Sequence, residues 1–359
     1  MPVTVRPAVL GLPVYVAGRP APAGPGGVAY KLSSNENPFP PLPGVLEATV
    51  QAVGQMNRYP DMANAAMTSA LSGRLGVHPE RLAFGTGSVA VLYHLLQAVC
   101  EAGDEVIYAW RSFEAYPIAV SITGATAVPI SLAPGAIHDL ESMRAAITPA
   151  TKVIMLCTPN NPTGPALRHD EVLALVDAVP ERIMIVIDEA YVEFVTDPDR
   201  VRGLELVAER PNVVVLRTFS KAYGLAGFRV GFCVAEPELA TAVRAVSLPF
   251  GVSVPAQAAV IASLDAEPAL LERVAALVRA RDVLADSLRA IGFAVPDAQG
   301  NFVWLPAGPR TPAYATAFAA AGLTVRPYAV GEPGDGVRIT VGEPEANLRV
   351  LEVAATLPR

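Results

Sequence analysis

The chain has 359 residues, with 27 basic and 34 acidic side chains, a formal net charge of −7 and 52% hydrophobic residues. The acidic balance argues against a nucleic-acid-binding protein, because binding to a polyanion normally requires a basic face. No stretch approaches the ~18–20 uninterrupted apolar residues of a membrane helix, so no membrane-spanning segment is predicted.

Cysteines, histidines and lysines are few and scattered along the chain. The three cysteines and four histidines show no ligand spacing, which predicts neither a disulfide framework nor a metal site. The N-terminus has early prolines and no long apolar segment before a cleavage site, so we predict no secretory signal and expect a cytoplasmic protein. Lysine occurs only at positions 31, 152 and 221, and arginine supplies the remaining basic charge.

Short apolar runs alternate with helical patterns from about residue 45 to residue 235. The preceding residues 18–27 are rich in proline and glycine and predict a loop. Runs that are apolar on both faces and separated by helices are typical of a largely parallel sheet covered on both sides. The strands are predicted at residues 82–84, 105–109, 127–130, 152–157, 183–187 and 213–216, and the helices between them include 89–102 and 170–179.

The pattern changes after Pro249. A long helix is predicted at residues 268–291, followed by strands at 302–305 and 337–341, which is an α+β pattern. We therefore predict an α/β fold in which a mostly parallel central sheet is sandwiched by helices and accompanied by a smaller α+β domain. The predicted units are an N-terminal arm (1–44) that is part of the small domain, a large ligand-binding domain (45–248) and a small C-terminal domain (249–359).

Polar residues follow three of the predicted strands. They are Asn161, Asp188, Tyr191 and Lys221, each placed after the carboxyl end of its strand. The carboxyl ends of parallel strands meet at one edge of an open sheet, where ligands bind. We therefore expect an amide, a carboxylate, a phenol and an amine to converge on that edge.

Each of these residues also has an ordinary structural alternative. Asp188 could cap a helix, the residues around Asn161 form a common turn sequence, and a lysine is usually a solvated surface charge. Lys221 differs because the chain otherwise uses arginine, which neither forms an imine with an aldehyde nor acts as a base near neutral pH. The combination of the four residue types favours a catalytic site over these alternatives.

Residues 85–90, Gly-Thr-Gly-Ser-Val-Ala, match the loose G-x-G-x-x-A pattern of dinucleotide-binding proteins. That interpretation requires an acid at the end of the next strand, but the acids of that strand stand at its start. The amides of Gly87, Ser88 and Val89 at a helix N-terminus are instead suited to a single phosphate, and Arg229 would add positive charge. A nicotinamide-dependent dehydrogenase therefore remains only as an alternative.

A ligand with one phosphate, an aldehyde for a lysine and a ring nitrogen for a carboxylate is pyridoxal phosphate. Motifs spread over nearly the whole chain resemble those of the histidinol-phosphate aminotransferase group of fold-type-I enzymes, which use this cofactor. They are SNENP (34–38), RYPD (58–61), PNNPTG (159–164), DEAY (188–191), FSKA (219–222) and GVRITVG (336–342). Within that group, residues 110–117 and 217–227 look similar to those of actinobacterial aromatic amino acid (phenylalanine) aminotransferases.

The resemblance implies a role for each candidate residue. Lys221 binds the cofactor aldehyde and, once a substrate has displaced it, moves a proton between the substrate carbon and the cofactor. Asp188 keeps the ring nitrogen protonated, and Phe113 stacks on the ring. The residues implied for the phenolic oxygen are Asn161 and Tyr191, and those implied for the phosphate are Gly87, Ser88, Val89, Ser220 and Arg229.

The resemblance also implies a substrate site and a homodimer. Arg338 would clamp the substrate carboxylate bidentately, a geometry that lysine cannot reproduce. Without the family context, the same residue is an ordinary arginine on a strand surface. Asn37 and Tyr15 are further candidates for the substrate pocket, and Tyr59 is expected to reach the cofactor phosphate of the other subunit. Arg326 is shared by relatives with different substrates and discriminates little between them.

The substrate is predicted from departures from the histidinol-phosphate pattern. Relatives of that type usually carry an acid at the position of Val89 and often a tyrosine at the position of Phe113. With Trp110 and Tyr15, Phe113 is expected to form an apolar entrance that favours an aromatic ring over an imidazolyl phosphate. We therefore predict an aminotransferase for an aromatic amino acid and a 2-oxo acid, with 2-oxoglutarate as the expected partner.

Other functions on related scaffolds remain as alternatives. The nearest is histidinol-phosphate aminotransferase in histidine biosynthesis. A decarboxylase would hold the substrate carboxylate perpendicular to the cofactor ring, an angle that the sequence does not reveal. A pyridoxal-phosphate sensor fused to a DNA reader would carry an N-terminal helix-turn-helix extension, and neither such an extension nor a basic charge balance is found in the sequence.

Overall fold

The computed structural model describes residues 3–12, 27, 29–329, 331 and 334–359 of the chain. It confirms the predicted α/β fold, with a mostly parallel central sheet flanked by helices. The strands are β1 (Tyr30–Lys31), β2 (Leu82–Gly85), β3 (Glu105–Trp110), β4 (Thr126–Ser131), β5 (Thr151–Cys157), β6 (Met184–Asp188), β7 (Val213–Thr218), β8 (Gly231–Val234), β9 (Phe302–Pro306), β10 (Leu323–Thr324), β11 (Arg326–Tyr328) and β12 (Gly336–Thr340). The α-helices are α1 (Pro7–Leu10), α2 (Val45–Val53), α3 (Ala65–Leu75), α4 (Ser88–Val99), α5 (Ala115–Thr123), α6 (Leu140–Ala145), α7 (His169–Ala178), α8 (Gly203–Glu209), α9 (Pro237–Val246), α10 (Val254–Asp265), α11 (Glu267–Ala290), α12 (Thr311–Ala320) and α13 (Pro344–Thr356).

The central sheet has the strand order β2-β8-β7-β6-β5-β3-β4. The neighbouring strands from β7 to β4 run parallel, as the sequence predicts. β8 is antiparallel to both of its neighbours, β2 and β7. No strand is predicted at β8 from the sequence, although its four residues are all buried.

Alternate residues of the parallel strands pack into two hydrophobic clusters. In β6, Ile185 and Ile187 belong to one cluster, whereas Met184 and Val186 belong to the other. Successive side chains of a strand point to opposite faces of the sheet, so both faces are covered. This two-sided burial explains why these strands appear in the sequence as continuous apolar runs rather than as an alternating pattern.

The helix boundaries follow local signals in the sequence. α10 begins after Ser253, whose hydroxyl accepts a hydrogen bond from the Ala256 amide (3.4 Å). α7 carries Asp170 and Glu171 in its first turn, where carboxylates interact favourably with the helix dipole. The predicted helix at 268–291 corresponds to α11, which begins and ends one residue earlier.

The C-terminal part of the chain contains smaller sheets. β9, β11 and β12 form an antiparallel sheet in the order β11-β12-β9. β1 pairs in parallel with β10, so the segment that precedes the central sheet in the chain lies against the C-terminal part. The division into units at residues 44 and 248 stays a prediction.

Within the ranges that the structure describes, no helix combines the length and the apolar character needed to cross a membrane. The cytoplasmic location stays a prediction.

The sheet brings the carboxyl ends of β5, β6 and β7 side by side. Cys157 at the end of β5 pairs with Asp188 at the end of β6, and Asp188 pairs in turn with Leu216 of β7. The chain segments that follow these strands therefore leave the sheet at one edge. These segments carry the polar residues that were predicted for the site.

Candidate active site

A cavity of about 310 Å³ lies at the carboxyl ends of β5, β6 and β7. The predicted site residues that line it are Ser88, Val89, Phe113, Asn161, Asp188, Tyr191, Ser220, Lys221, Arg229 and Arg338. The other lining residues are Ser33, Ser34, Glu36, Glu114, Cys157, Ala190, Thr218, Ala226, Arg326 and Tyr328. The cavity thus combines residues from the central sheet, the N-terminal segment and the C-terminal antiparallel sheet.

Lys221 lies in the turn after β7, with its amine in the cavity. Nζ donates a hydrogen bond to the backbone oxygen of Ser34 (2.9 Å) and lies 5.7 Å from the centre of the Tyr191 ring. Burial of the amine, together with the positive charge of Arg338, lowers the pKa of Lys221 to about 7. A substantial fraction of the amine is therefore neutral near neutral pH, as a nucleophile or a proton acceptor requires.

Asp188 ends β6 and points its carboxylate into the same cavity. Its Oδ2 accepts a hydrogen bond from the hydroxyl of Tyr116 (2.8 Å), and its Oδ1 accepts one from the Ala190 amide (3.2 Å). Burial raises the pKa of Asp188 to about 6, and the hydrogen bond from Tyr116 opposes this shift. Burial also raises the pKa of the Tyr116 hydroxyl well above its usual value, so this hydroxyl remains a donor.

Tyr191 is held by an asparagine of the N-terminal segment. The Tyr191 hydroxyl accepts a hydrogen bond from Nδ2 of Asn35 (2.9 Å). Asn35 is fully buried. Its backbone N–H donates a hydrogen bond to the hydroxyl of Thr340 in β12 (2.9 Å), and this hydroxyl donates one to Oδ1 of Asn35 (3.0 Å). Residues from both ends of the chain therefore fix the position of this phenol. Burial raises the pKa of Tyr191, so the phenol stays protonated.

Arg338 projects from β12 into the cavity and is buried. Its guanidinium donates hydrogen bonds to Oδ1 of Asn161, to the Tyr328 hydroxyl (3.2 Å) and to the backbone oxygen of Ser33. Among the described residues its Nε has no partner and no carboxylate pairs with it. Because buried charges are normally paired, this guanidinium suits an anionic ligand.

A second set of groups forms a cradle at the start of α4. Arg229 donates a hydrogen bond to the hydroxyl of Ser220 (3.2 Å), and its guanidinium lies against Gly87. Gly87 has a φ of +90°, and a Cβ added there would lie 2.3 Å from Nη2 of Arg229. The free amides at the N-terminus of a helix, with an arginine beside them, form a site for a phosphate-sized anion.

Some predicted residues lie elsewhere. Tyr59 is 82% exposed and its ring stacks on Phe250, with 4.7 Å between the ring centres. Asn37 donates to the backbone oxygen of Ala222 (2.9 Å), so it holds the lysine segment in place and is not among the lining residues. Trp110 packs against Tyr108, with ring centres 6.2 Å apart, and is not among the residues that line the cavity, so its place in the apolar entrance stays a prediction. Tyr15 lies outside the described residues.

The residues of the site that were not predicted from the sequence include Asn35, Glu114 and Tyr116. Each lies within or beside a motif that was recognised, at 34–38 or 110–117, but the motif does not show what the side chain contacts. An aromatic residue three positions after Phe113 at the start of a helix was an available signal for Tyr116. The contact between Glu114 and Arg326 joins residues 212 positions apart, and no local pattern indicates it.

The family model for aminotransferase class I and II matches residues 29–353. The aromatic amino acid aminotransferase of Streptomyces avermitilis is 55% identical over 97% of this chain and 96% of that protein, and that of Streptomyces coelicolor is 54% identical over 98% and 96%. The crystal structure of histidinol-phosphate aminotransferase from Sinorhizobium meliloti, in complex with pyridoxal-5'-phosphate, has a TM-score of 0.86 and 30% identity, and covers 99% of this chain and 96% of that one.

Proposed function

This chain belongs to the class I and II aminotransferases, and on that basis we propose that it moves an amino group between an aromatic amino acid and a 2-oxo acid. We propose pyridoxal phosphate as its cofactor and 2-oxoglutarate as its 2-oxo acid. One observation carries the proposal: the amine of Lys221, the carboxylate of Asp188 and the guanidinium of Arg229 all line one cavity.

The donor set of the cavity fits this cofactor. The cradle beside Gly87, which a side chain would fill, suits the phosphate, and the buried Asp188 carboxylate suits a positively charged ring nitrogen. When bound, pyridoxal phosphate supplies an aldehyde for an amine and a ring that withdraws electrons from the substrate α-carbon. The residues that would hold it are Lys221 at the aldehyde, Asp188 at the ring nitrogen, Asn161 and Tyr191 at the phenolic oxygen, Phe113 at the ring face, and Gly87, Ser88, Val89, Ser220 and Arg229 at the phosphate.

Lys221 is the residue that moves protons in this proposal. With a pKa of about 7, its Nζ is available as a base near neutral pH and takes the proton from the α-carbon of the amino acid. As an ammonium group it can return a proton when the 2-oxo acid is converted in the second half of the reaction. The Ser34 carbonyl, which accepts a hydrogen bond from Nζ at 2.9 Å, holds the amine in the cavity.

Arg338 is the proposed site for the substrate carboxylate. Its guanidinium is fixed by Asn161, Tyr328 and Ser33 and has no carboxylate partner in the described part of the chain. A planar guanidinium binds a carboxylate through two parallel hydrogen bonds, which sets the orientation of the amino acid as well as its affinity. Asn37 and Tyr15 stay proposals for the remainder of the substrate pocket.

The named relatives support an aromatic substrate. Two aromatic amino acid aminotransferases are 54–55% identical to this chain, whereas the matched histidinol-phosphate aminotransferase is 30% identical. The rings of Phe113 and Tyr328 and the aliphatic side chain of Val89 line the same cavity as Arg338. Aromatic and aliphatic surfaces of this kind pack favourably against an uncharged ring.

We further propose a homodimer in which Tyr59 reaches the cofactor phosphate of the other subunit. Tyr59 and its stacking partner Phe250 are exposed in the single chain, and so are Met56, Met62 and Leu248. A group of large exposed apolar side chains is typical of a surface that contacts another protein. A second copy of the chain would cover these residues and bring Tyr59 to a neighbouring site.

Lys221→Ala tests the central assignment. The variant is expected to lose both the visible absorbance of bound pyridoxal phosphate and turnover, because Lys221 supplies the amine that lines the cavity. Lys152→Ala is the matched control, since Lys152 lies at the start of β5, at the opposite end of the strand from the site, and is expected to keep both. Retention of absorbance and turnover by the Lys221 variant would show that the proposal is wrong.

A comparison of two acceptors tests the substrate. With glutamate as donor, kcat/KM for phenylpyruvate is expected to exceed that for imidazole acetol phosphate by roughly tenfold or more. The reverse order would assign the protein to histidinol-phosphate conversion while leaving the aminotransferase chemistry intact.

A further inference from the structure

An ion pair crosses the wall of the cavity. Nη2 of Arg326 in β11 lies 2.5 Å from Oε2 of Glu114, the residue that precedes α5. The Arg326 side chain is 9% exposed and that of Glu114 is 29% exposed, and both residues line the cavity. The pair therefore forms part of the surface that a substrate meets.

Arg326 and Arg338 stand next to each other but differ in their partners. They are directly opposite in the antiparallel pairing of β11 with β12, so their side chains share one face. Both guanidinium groups lie near the Tyr328 ring, at 5.7 Å for Arg326 and 5.9 Å for Arg338. In the described part of the chain, Arg326 has a carboxylate partner and Arg338 has none.

This difference separates the two guanidinium groups by function. Arg338 offers its hydrogen-bond donors to the α-carboxylate, which every amino acid and 2-oxo acid carries. The Arg326 guanidinium, on the neighbouring strand, would offer a second site for an anion. However, the Glu114 carboxylate already accepts a hydrogen bond from Nη2 of Arg326 and neutralises its positive charge. A substrate whose side chain carries a second anion has to compete with Glu114 and is repelled by it.

The position of Glu114 is set by the same short segment that presents Phe113. Glu114 is the residue before α5, a nine-residue helix. A carboxylate at this end of a helix interacts favourably with the helix dipole, and Glu114 also lines the cavity. Two consecutive residues, Phe113 and Glu114, therefore place an aromatic ring and a carboxylate at the same cavity.

We propose that Glu114 is a specificity-determining residue, which by pairing with Arg326 disfavours substrates with an anionic side chain and leaves a neutral aromatic ring as the preferred one. The inference rests on the proposed aminotransferase function and names the determinant of its substrate class. Glu114 is not assigned a role in proton transfer. The expected acceptor 2-oxoglutarate carries a side-chain carboxylate, so the same pair also limits how tightly that acceptor binds.

Glu114→Gln tests this inference because it keeps the shape of the side chain and removes its charge. The measured quantity is the ratio of kcat/KM for 2-oxoglutarate to that for phenylpyruvate in the holoenzyme. The ratio is expected to rise roughly tenfold, as a charge-assisted contact to Arg326 becomes available to the substrate. The corresponding ratio for imidazole acetol phosphate is expected to rise in the same direction.

Two further variants separate this effect from a general change in charge. Glu36→Gln removes a cavity carboxylate that pairs with Lys31 (2.8 Å) instead of an arginine of the wall, and it is expected to leave the ratio unchanged. In an Arg326→Gln background, Glu114→Gln is expected to have no further effect on the ratio. An equal effect in that background would contradict a role through Arg326.

Inhibitor binding provides a readout independent of turnover. Glutarate and 3-phenylpropionate share one carboxylate and differ in carrying a second carboxylate or a phenyl ring. Glu114→Gln is expected to tighten the binding of glutarate to the holoenzyme roughly tenfold and not that of 3-phenylpropionate. If wild-type enzyme converts phenylpyruvate, but Glu114→Gln changes neither the ratio of the two kcat/KM values nor the affinity for glutarate, the inference is wrong and the proposed function stands. If wild-type enzyme converts neither acceptor, the proposed function itself is wrong.

Discussion

The ionisation of Asp188 depends on one neighbouring hydroxyl. The carboxylate is buried, which favours its neutral form, and Tyr116 provides the strongest opposing contact at 2.8 Å. Tyr116 is itself buried on α5, within a cluster of aromatic rings that includes Tyr108 and Phe113. The helix that follows Phe113 therefore adjusts the charge of a carboxylate on the central sheet.

We predict that Tyr116→Phe raises the pKa of Asp188, because the variant removes a hydrogen bond to its charged form. A carboxylate that is less often ionised stabilises a charged ring nitrogen less well. Affinity for pyridoxal phosphate, measured by equilibrium titration, is expected to fall roughly tenfold, and kcat/KM with it. Tyr108→Phe serves as the control, since the Tyr108 ring packs on Tyr116 at 5.9 Å without contacting Asp188 through its hydroxyl. Equal losses in the two variants would contradict the role given to Tyr116.

The amine of Lys221 is expected to make protein stability depend on pH. Its pKa of about 7 in the folded protein lies below its usual 10.5, so between these values the unfolded chain binds more protons than the folded one. The free energy of unfolding therefore rises with pH across this window. In urea denaturation without added cofactor, wild type is expected to gain stability relative to Lys221→Ala between about pH 7 and 10.5. A constant difference between the two proteins would contradict the lowered pKa.

β8 links the antiparallel edge of the central sheet to the start of α4. Gly231 begins this strand, and a Cβ added there would lie 2.2 Å from the backbone nitrogen of Ser88. The close approach of two backbones sets where the first amides of α4 point. The geometry of the proposed phosphate cradle thus depends on a glycine that belongs to a strand and not to the loop itself.

We predict that Gly231→Ala displaces the start of α4 and weakens cofactor binding. Overpacking of this kind costs about 1–3 kcal/mol of stability. Affinity for pyridoxal phosphate is also expected to fall, and by more than the smaller fraction of folded protein would explain. Gly227→Ala is the matched control, because a Cβ at Gly227 meets no atom within 4 Å. Thermal unfolding and cofactor titration of both variants check the prediction, and wild-type affinity in Gly231→Ala would contradict it.

The elements that could be predicted are those with a strong local pattern. β5, β6 and β7 are continuous apolar runs that end in polar residues, so both the strands and the positions of Asp188 and Lys221 follow from the sequence. Asn35 and Tyr116 lie 156 and 72 positions from the residues that they contact. Only the folded chain brings such residues together, and a motif shows that they are present without showing what they bind.

The complete molecule is proposed to be a dimer with shared sites, and mixed subunits can test this. If Tyr59 acts in the partner's site, a Tyr59→Ala subunit paired with a Lys221→Ala subunit contains one site with both Lys221 and Tyr59. Refolding the two variants together is then expected to give more activity per Tyr59→Ala subunit than that variant has alone. If Tyr59 acts within its own subunit, mixing is expected to restore nothing.

The site is assembled from parts of the chain that a ribosome makes at very different times. The hydrogen bond from Arg338 to Ser33 joins residues 305 positions apart. At 5–20 residues per second, Arg338 is added on the order of ten seconds after Lys221. During that interval the residues of β5, β6 and β7 and of the cradle at α4 have been synthesised, but β1 has no β10 to pair with and Arg338 is still missing. The residues proposed to hold the cofactor are therefore synthesised before the arginine proposed for the substrate carboxylate.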